Sequence, residues 1–107
     1  MIALTVSEIA QAVGGTVHGD SSVIVTGAAD TDSRLIEANG LFFAKPGEFT
    51  DGHLFAPAAV DNGAAALVVE RVLDLDVPQI VVSDTVEALG LLAKHVVSLV
   101  REAGSLT

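Results

Sequence analysis

Three short and nearly uninterrupted apolar runs constrain the fold of this chain more than any other feature. They lie at residues 41–44, 65–69 and 79–82. Apolar runs of this length are typical of strands that are covered on both faces, as in the parallel sheet of an α/β domain. We therefore expect these segments to form the centre of a sheet, with helices packed on either side.

The segments between and after these runs indicate where the flanking helices lie. Residues 54–62 have the pattern of a short helix that ends at Gly63, which gives residues 42–69 the strand, helix, strand order of a parallel crossover. Asp84 and Glu87 have helix-capping spacing, and the apolar residues after them recur at helical intervals up to Gly104. A long amphipathic helix is predicted at the end of the chain.

The N-terminal segment predicts a helix followed by a hairpin. Thr5 and Glu8 have the spacing of a capping box, and Gly14 supplies a left-handed stop. Two β-branched segments follow at residues 16–18 and 23–26, separated by turn-forming residues 19–22, and we expect them to pair. The whole chain, residues 1–107, is thus predicted to be one small, three-layer-like α/β domain with a mixed, partly parallel sheet flanked by helices.

Charge and composition exclude several classes of function. The 107 residues include 5 Lys and Arg against 14 Asp and Glu, a formal net charge of -9. Such a chain does not favour extended nucleic-acid binding or an anionic membrane surface, because both require clustered cations. The chain has no cysteine, no basic and apolar leader pattern, and no apolar stretch of membrane-spanning length. We expect a cytoplasmic protein with neither nucleic acid nor membrane as a partner.

Two polar segments follow predicted strands and are candidates for a binding site. They occupy residues 30–34 and 45–53. Ligands in α/β sheets collect beyond the carboxyl ends of strands. The hydroxyls of Thr31 and Ser33 and the cation of Arg34 can hold a phosphate, and Gly47 and Gly52 allow backbone amides to approach it. The alternative, which composition alone favours, is an ordinary turn in which Arg34 pairs with a surface carboxylate.

Other chemistries have little support. No glycine-rich segment ends in the G-K-[ST] sequence of a nucleotide-triphosphate loop. The histidines, His18, His53 and His95, have no partners at the spacing of a catalytic triad. The carboxylates near His53 match no recognisable calcium or zinc loop, so no metal site is predicted.

An ordered series of motifs between Asp32 and Glu70 resembles the N-terminal domain of the Mur ligases, which build the peptidoglycan peptide. The matching residues are Asp32-Ser33-Arg34, Gly40-Leu41-Phe42-Phe43-Ala44, Gly47, Asp51-Gly52-His53, Phe55, Ala59 and Gly63-Ala64-Ala65-Ala66. The flanks, at residues 4–15 and 83–93, resemble the branch that adds D-alanyl-D-alanine. One departure lies before Leu41, where the family usually has Pro-Gly-Asp and this chain has Ala38-Asn39-Gly40. The turn glycine is therefore moved by one place or replaced by Asn39, which tolerates a left-handed backbone.

The resemblance implies the domain that recognises the uridine diphosphate (UDP) end of UDP-N-acetylmuramoyl-tripeptide. The full ligase uses ATP and Mg²⁺ to join D-alanyl-D-alanine to that substrate, in central and C-terminal domains that are missing from residues 1–107. This chain alone is then expected to be inactive and to hold no cofactor, catalytic residue or metal. The implied substrate-binding residues are Thr31, Ser33, Arg34, Gly47, Glu48, Phe49, Thr50, Asp51 and Gly52.

Three alternatives remain open. The chain can be the corresponding domain of the sister ligase that adds the third residue, diaminopimelate or lysine. It can also be a non-catalytic binding or interaction module with the same fold. The last alternative is a dimerising structural domain with an empty crevice.

Overall fold

A five-stranded sheet organises the protein. The computed structural model describes residues 3–45 and 52–105. Its strands are β1 (Leu4–Thr5), β2 (Thr16–His18), β3 (Ile24–Val25), β4 (Ala29–Asp30), β5 (Leu41–Phe43), β6 (Ala66–Val69) and β7 (Gln79–Val81). Its helices are α1 (Val6–Val13), α2 (Ala56–Asp61) and α3 (Thr85–Ser105), with two 3₁₀ helices, η1 (Ser33–Leu35) and η2 (Gly52–Phe55).

The strand order of the main sheet is β2-β7-β6-β5-β4. Strands β4, β5, β6 and β7 run parallel to one another, and β2 pairs antiparallel with β7. The three central strands are those predicted from the apolar runs, and the mixed, partly parallel sheet is confirmed. The predicted crossover is also confirmed, since β5 and β6 are parallel neighbours and α2 lies between them in sequence.

Each face of the sheet covers its own hydrophobic core, which gives the fold three layers. Alternate side chains of a strand point to opposite faces. Leu41 and Phe43 of β5 pack with residues of α1 and α3, whereas Phe42 packs with Ala56 and Ala59 of α2. The continuous apolar character of β5 therefore follows from its burial on both sides.

Local signals fix the ends of the helices. The Thr5 side chain accepts a hydrogen bond from the Glu8 amide, and Glu8 accepts one from the Thr5 amide, so the predicted capping box is present. Gly14 ends α1 in the left-handed conformation. At the start of α3, Asp84 Oδ1 accepts from the amides of Val86 and Glu87. None of the helices in the described residues is both long and apolar enough to span a membrane.

The predicted hairpin of residues 16–18 with residues 23–26 is wrong. Strand β2 pairs with β7, whereas β3 pairs with β1 in a separate two-stranded sheet. The reason lies at the start of α1, where helical N–H groups have no partner within the helix. The carbonyls of Ser21 and Val23 accept from the amides of Ser7 and Val6, and they draw the segment before β3 towards α1 and away from β2.

The turn before β5 uses an asparagine where the family usually has glycine. Asn39 has φ 64, in the left-handed region, so it replaces the turn glycine as the sequence suggested. Its amide donates to the Gly63 carbonyl, and its carbonyl accepts from the amides of Thr26 and Gly27. The turn thereby joins the segment before β4 to the segment before β6.

Candidate functional site

A cleft lies at the edge of the sheet where β4 and β5 end. These strands are parallel neighbours, so the segments that follow them leave the sheet on the same side. The cleft has a volume of about 590 Å³. It is lined by Thr31, Asp32, Ser33, Arg34, Phe55 and Ala58. The structure thus brings together the three predicted residues of the first polar segment and adds two from the η2 and α2 side.

The segment after β4 is both a self-capped turn and one wall of the cleft. Asp30 Oδ1 accepts a hydrogen bond of 2.9 Å from the Asp32 amide, and Asp32 Oδ1 accepts one of 2.9 Å from the Arg34 amide. These bonds fix the backbone without any ligand, as the turn alternative requires. Ser33 begins η1 and is only 6% exposed, yet it lines the cleft. The turn and the binding-site interpretations therefore describe the same geometry.

Arg34 forms an ion pair with Asp32 within this wall. Its Nε lies 3.0 Å from Asp32 Oδ1, and its second terminal nitrogen lies 2.8 Å from Oδ2. These side-chain hydrogen bonds, followed by the bond from the Arg34 amide, lower the pKa of Asp32 from 3.8 to about 2. The side-chain bonds and the negative charge of Asp32 raise the pKa of Arg34. The predicted pairing of Arg34 with a carboxylate is confirmed, so the charge of this cation is already balanced by Asp32.

This ion pair predicts an acid titration with a defined direction. We expect the Asp32 carboxyl to titrate near pH 2, below its ordinary 3.8, in a ¹³C-detected NMR titration. Because its folded pKa is lowered, the contribution of Asp32 to stability is complete above the ordinary pKa and is lost as the pH falls through about 2. In Arg34→Gln, the midpoint should rise towards 3.8; a wild-type midpoint already at 3.8 would contradict the ion pair.

Asn62 connects the two walls of the cleft. Its Nδ2 donates a hydrogen bond of 2.8 Å to the backbone carbonyl of Ser33. Asn62 follows α2 directly, so this bond joins the end of that helix to η1. Asn62 and Ala58 are not among the residues predicted for the site, and Phe55 is predicted only as part of the family motif. The sequence contained a signal that could have placed Phe55 in the site, because this residue lies just after the polar segment predicted to bind the ligand.

Of the second predicted segment, residues 45–53, the structure describes only Lys45, Gly52 and His53. Gly52 begins η2, whose last residue, Phe55, lines the cleft. The remaining predicted residues, Gly47, Glu48, Phe49, Thr50 and Asp51, lie outside the described residues. Their contacts with a substrate stay predictions.

The described part of the chain offers no site for a metal ion. Within residues 3–45 and 52–105, no three His, Asp or Glu side chains lie close enough together to bind one. His53 is buried at 3% exposure, and its Nε2 accepts a hydrogen bond of 2.9 Å from the Glu70 amide. The residues that line the cleft supply hydroxyls, backbone groups, a balanced ion pair and an apolar wall. These groups suit the binding of a polar organic molecule.

Comparison with known proteins identifies relatives of this fold and site. A family model described as "Mur ligase family, catalytic domain" matches residues 28–96. The UDP-N-acetylmuramoyl-tripeptide–D-alanyl-D-alanine ligase of Escherichia coli is 42% identical over 96 residues, which are 90% of this chain and 21% of that protein. The UDP-N-acetylmuramoyl-L-alanyl-D-glutamate–2,6-diaminopimelate ligase of Geobacillus kaustophilus is 47% identical over 76 residues, which are 71% of this chain and 15% of that protein.

A solved structure gives the same result for the fold. The UDP-N-acetylmuramoylalanyl-D-glutamyl-2,6-diaminopimelate–D-alanyl-D-alanyl ligase of Acinetobacter baumannii matches with a TM-score of 0.76 and 36% identity. The match covers 84% of this chain and 20% of that structure, so the chain spans about a fifth of the length of such relatives. The family model covers well over half of the chain and includes the cleft residues of η1 and α2. The chain therefore belongs to the Mur ligase family.

Proposed function

We propose that this chain recognises the UDP end of UDP-N-acetylmuramoyl-tripeptide for an ATP-dependent ligase that adds D-alanyl-D-alanine to peptidoglycan precursors. The observation that carries the proposal is the cleft at the end of β4, which Thr31 and Ser33 line. The motif resemblance implies that these two residues contact the UDP. The similarity to ligases named for this reaction, along most of the chain, supports it.

The chemistry of the cleft suits a nucleotide. The hydroxyls of Thr31 and Ser33 can donate to ribose or phosphate oxygens. Phe55 is 47% exposed and, with Ala58, offers an apolar surface to a flat base or a sugar ring. Since Asp32 already balances Arg34, recognition relies on hydrogen bonds and apolar contact more than on an unpaired cation. The predicted contacts of Glu48, Phe49 and Thr50 with the ligand also belong to this proposal.

We assign the chemical step to other domains of the ligase. The sequence of this chain has no G-K-[ST] phosphate loop, so ATP and Mg²⁺ would act in a central ATPase domain and the incoming dipeptide would bind in a C-terminal domain. The chain spans about a fifth of the ligases that it resembles, which supports this division. These domains, acting in the cytoplasm, are then the partners of this one, and residues 1–107 alone have no turnover.

The sister ligase is the second candidate. It is supported by the 47% identity to a ligase named for 2,6-diaminopimelate. The D-alanyl-D-alanine assignment is preferred because the Escherichia coli enzyme combines 42% identity with 90% coverage of the chain. The diaminopimelate ligases combine 47% identity with 71% coverage, or 35% identity with 86% coverage. Both candidates share recognition of a UDP-linked muramoyl peptide.

The proposal is tested by NMR titration of the ¹⁵N-labelled chain. UDP-N-acetylmuramoyl-tripeptide and uridine monophosphate (UMP) should each shift the amides of Thr31, Ser33 and Phe55, whereas D-alanyl-D-alanine should shift none of them. No shift with either uridine compound at millimolar concentration would contradict the proposal. That result would favour an interaction module, or a structural domain with an empty crevice.

Substitution of Ser33 tests the individual contact. In Ser33→Ala, the loss of one hydrogen bond to a charged or polar oxygen should weaken UMP binding by about 1–3 kcal/mol, measured in the same titration. The matched control is Ser22→Ala, because Ser22 is exposed and bonds to Asp20 in the turn before β3, away from the cleft. Equal affinity of the two variants would show that Ser33 is only a turn residue.

A further inference from the structure

His53 is a buried polar residue that the proposed function does not use directly. It is 3% exposed and is not among the residues that line the cleft. A buried imidazole is costly unless its nitrogens have hydrogen-bond partners, so its burial calls for a structural explanation. It lies in η2, two residues before Phe55, which lines the cleft.

The imidazole is bonded to a rigid part of the fold. Nε2 accepts a hydrogen bond of 2.9 Å from the amide of Glu70, the first residue after the central strand β6. A nitrogen that accepts this bond carries no proton, so the neutral ring holds its proton on Nδ1. Glu70 is itself fixed, because its Oε2 accepts from both the amide and the hydroxyl of Thr85, which is 1% exposed at the start of α3.

The rest of η2 is weakly held by burial. Leu54 is 70% exposed and Phe55 is 47% exposed, so their side chains contribute little to fixing this short helix. A 3₁₀ turn of this length has little stability of its own. Among His53, Leu54 and Phe55, only His53 is buried, and its bond to the Glu70 amide attaches η2 to the end of β6. Phe55 follows it by two residues in the same turn.

We propose that His53 is a positioning residue for substrate recognition. By bonding to the Glu70 amide, it fixes η2 against the end of β6 and holds Phe55 in place as the apolar wall of the cleft. The inference rests on the proposed function, since it concerns the same UDP-binding cleft. His53 acts through Phe55 and does not itself contact the ligand.

The first measurement requires no ligand. In the uniformly ¹⁵N-labelled chain, the N–H to N hydrogen bond should produce a scalar coupling between the Glu70 amide nitrogen and His53 Nε2. The ring should also show the Nδ1–H tautomer in a long-range ¹H–¹⁵N spectrum. A protonated Nε2 without that coupling would overturn the proposal whatever the binding data show.

The second measurement compares two amide substitutions by UMP titration. The Gln side chain can place an oxygen close to the position of Nε2, whereas Asn places one close to Nδ1. We expect His53→Asn to weaken UMP binding about fivefold or more, and His53→Gln to stay within about twofold of the wild type. His18→Asn, on the exposed strand β2, is the matched control and should bind as the wild type does.

The outcomes separate this inference from the proposed function. Failure of the wild-type chain to bind UMP overturns both, whereas equal binding by wild type and His53→Asn overturns the positioning role alone. If His53→Asn does not fold, Phe55→Ala decides: it should keep the coupling between Glu70 and His53 while weakening UMP binding about fivefold. If Phe55→Ala binds UMP as the wild type does, Phe55 does not contribute to binding and the proposed role of His53 is wrong.

Discussion

Replacing Phe42 with alanine is expected to lower the free energy of unfolding by about 3–5 kcal/mol. Phe42 is fully buried in β5, between β4 and β6, and packs against the layer formed by α2. Its removal leaves a cavity at the centre of the sheet that its strand neighbours cannot fill. Since the stability of a small domain is about 5–15 kcal/mol, the variant should unfold at a much lower urea concentration.

Phe55→Ala provides the control for this result, because the same substitution is made at an exposed position. Phe55 is 47% exposed, so its truncation should cost less than about 1.5 kcal/mol. The two substitutions should therefore have different effects. Phe42→Ala should lower the stability, and Phe55→Ala should lower the affinity for UMP. Similar losses of stability in both variants would contradict the burial assigned to Phe42.

Replacing Gln79 with leucine is expected to lower the free energy of unfolding by about 2–4 kcal/mol. Gln79 is 1% exposed in β7, and its side-chain amide forms two hydrogen bonds of 2.7 Å with the backbone of Leu73, accepting from its N–H and donating to its carbonyl. Leucine has a similar volume but leaves both backbone groups without these partners. The connection from β6 to β7 should then exchange its amide hydrogens faster, and the melting temperature should fall.

Gln11→Leu is the matched control for Gln79→Leu. Gln11 is exposed on α1, so the same chemical change there should alter the stability by no more than about 0.5 kcal/mol. If Gln79→Leu is as stable as Gln11→Leu, the amide of Gln79 does not support the connection. If instead both variants are less stable than the wild type by the same amount, the introduced leucine is the cause and the lost hydrogen bonds are not.

The parts of the fold that sequence could predict are those with local signals. The apolar runs of β5 and β6 reflect burial on both faces, and Thr5 with Glu8 forms a cap within four residues, so both predictions are confirmed. The pairing of β2 could not be predicted in the same way. Its partner β7 is distant in sequence, and the carbonyls of Ser21 and Val23 take the nearby β3 towards α1.

The candidate site shows the same division. Ser33 and Thr31 were predicted from a motif whose residues are adjacent in sequence, and the structure places both at the cleft. Ala58 and Asn62 were missed because they join the site only through the packing of α2 against η1. In the sequence, Asp61, Asn62 and Gly63 are typical of a helix end, and they give no sign that the Asn62 side chain donates to the distant Ser33 carbonyl.

The pairing of β2 with β7 also has a consequence for synthesis on the ribosome. Thr16 lies opposite Val81, so β2 emerges long before its only partner in the described sheet. Contacts between such distant segments form late, because a long loop must close first. Until β7 has left the ribosome, the nascent chain keeps both β2 and one edge of β6 without partners. During that interval, chaperone binding or strand exchange with another nascent chain would compete with folding.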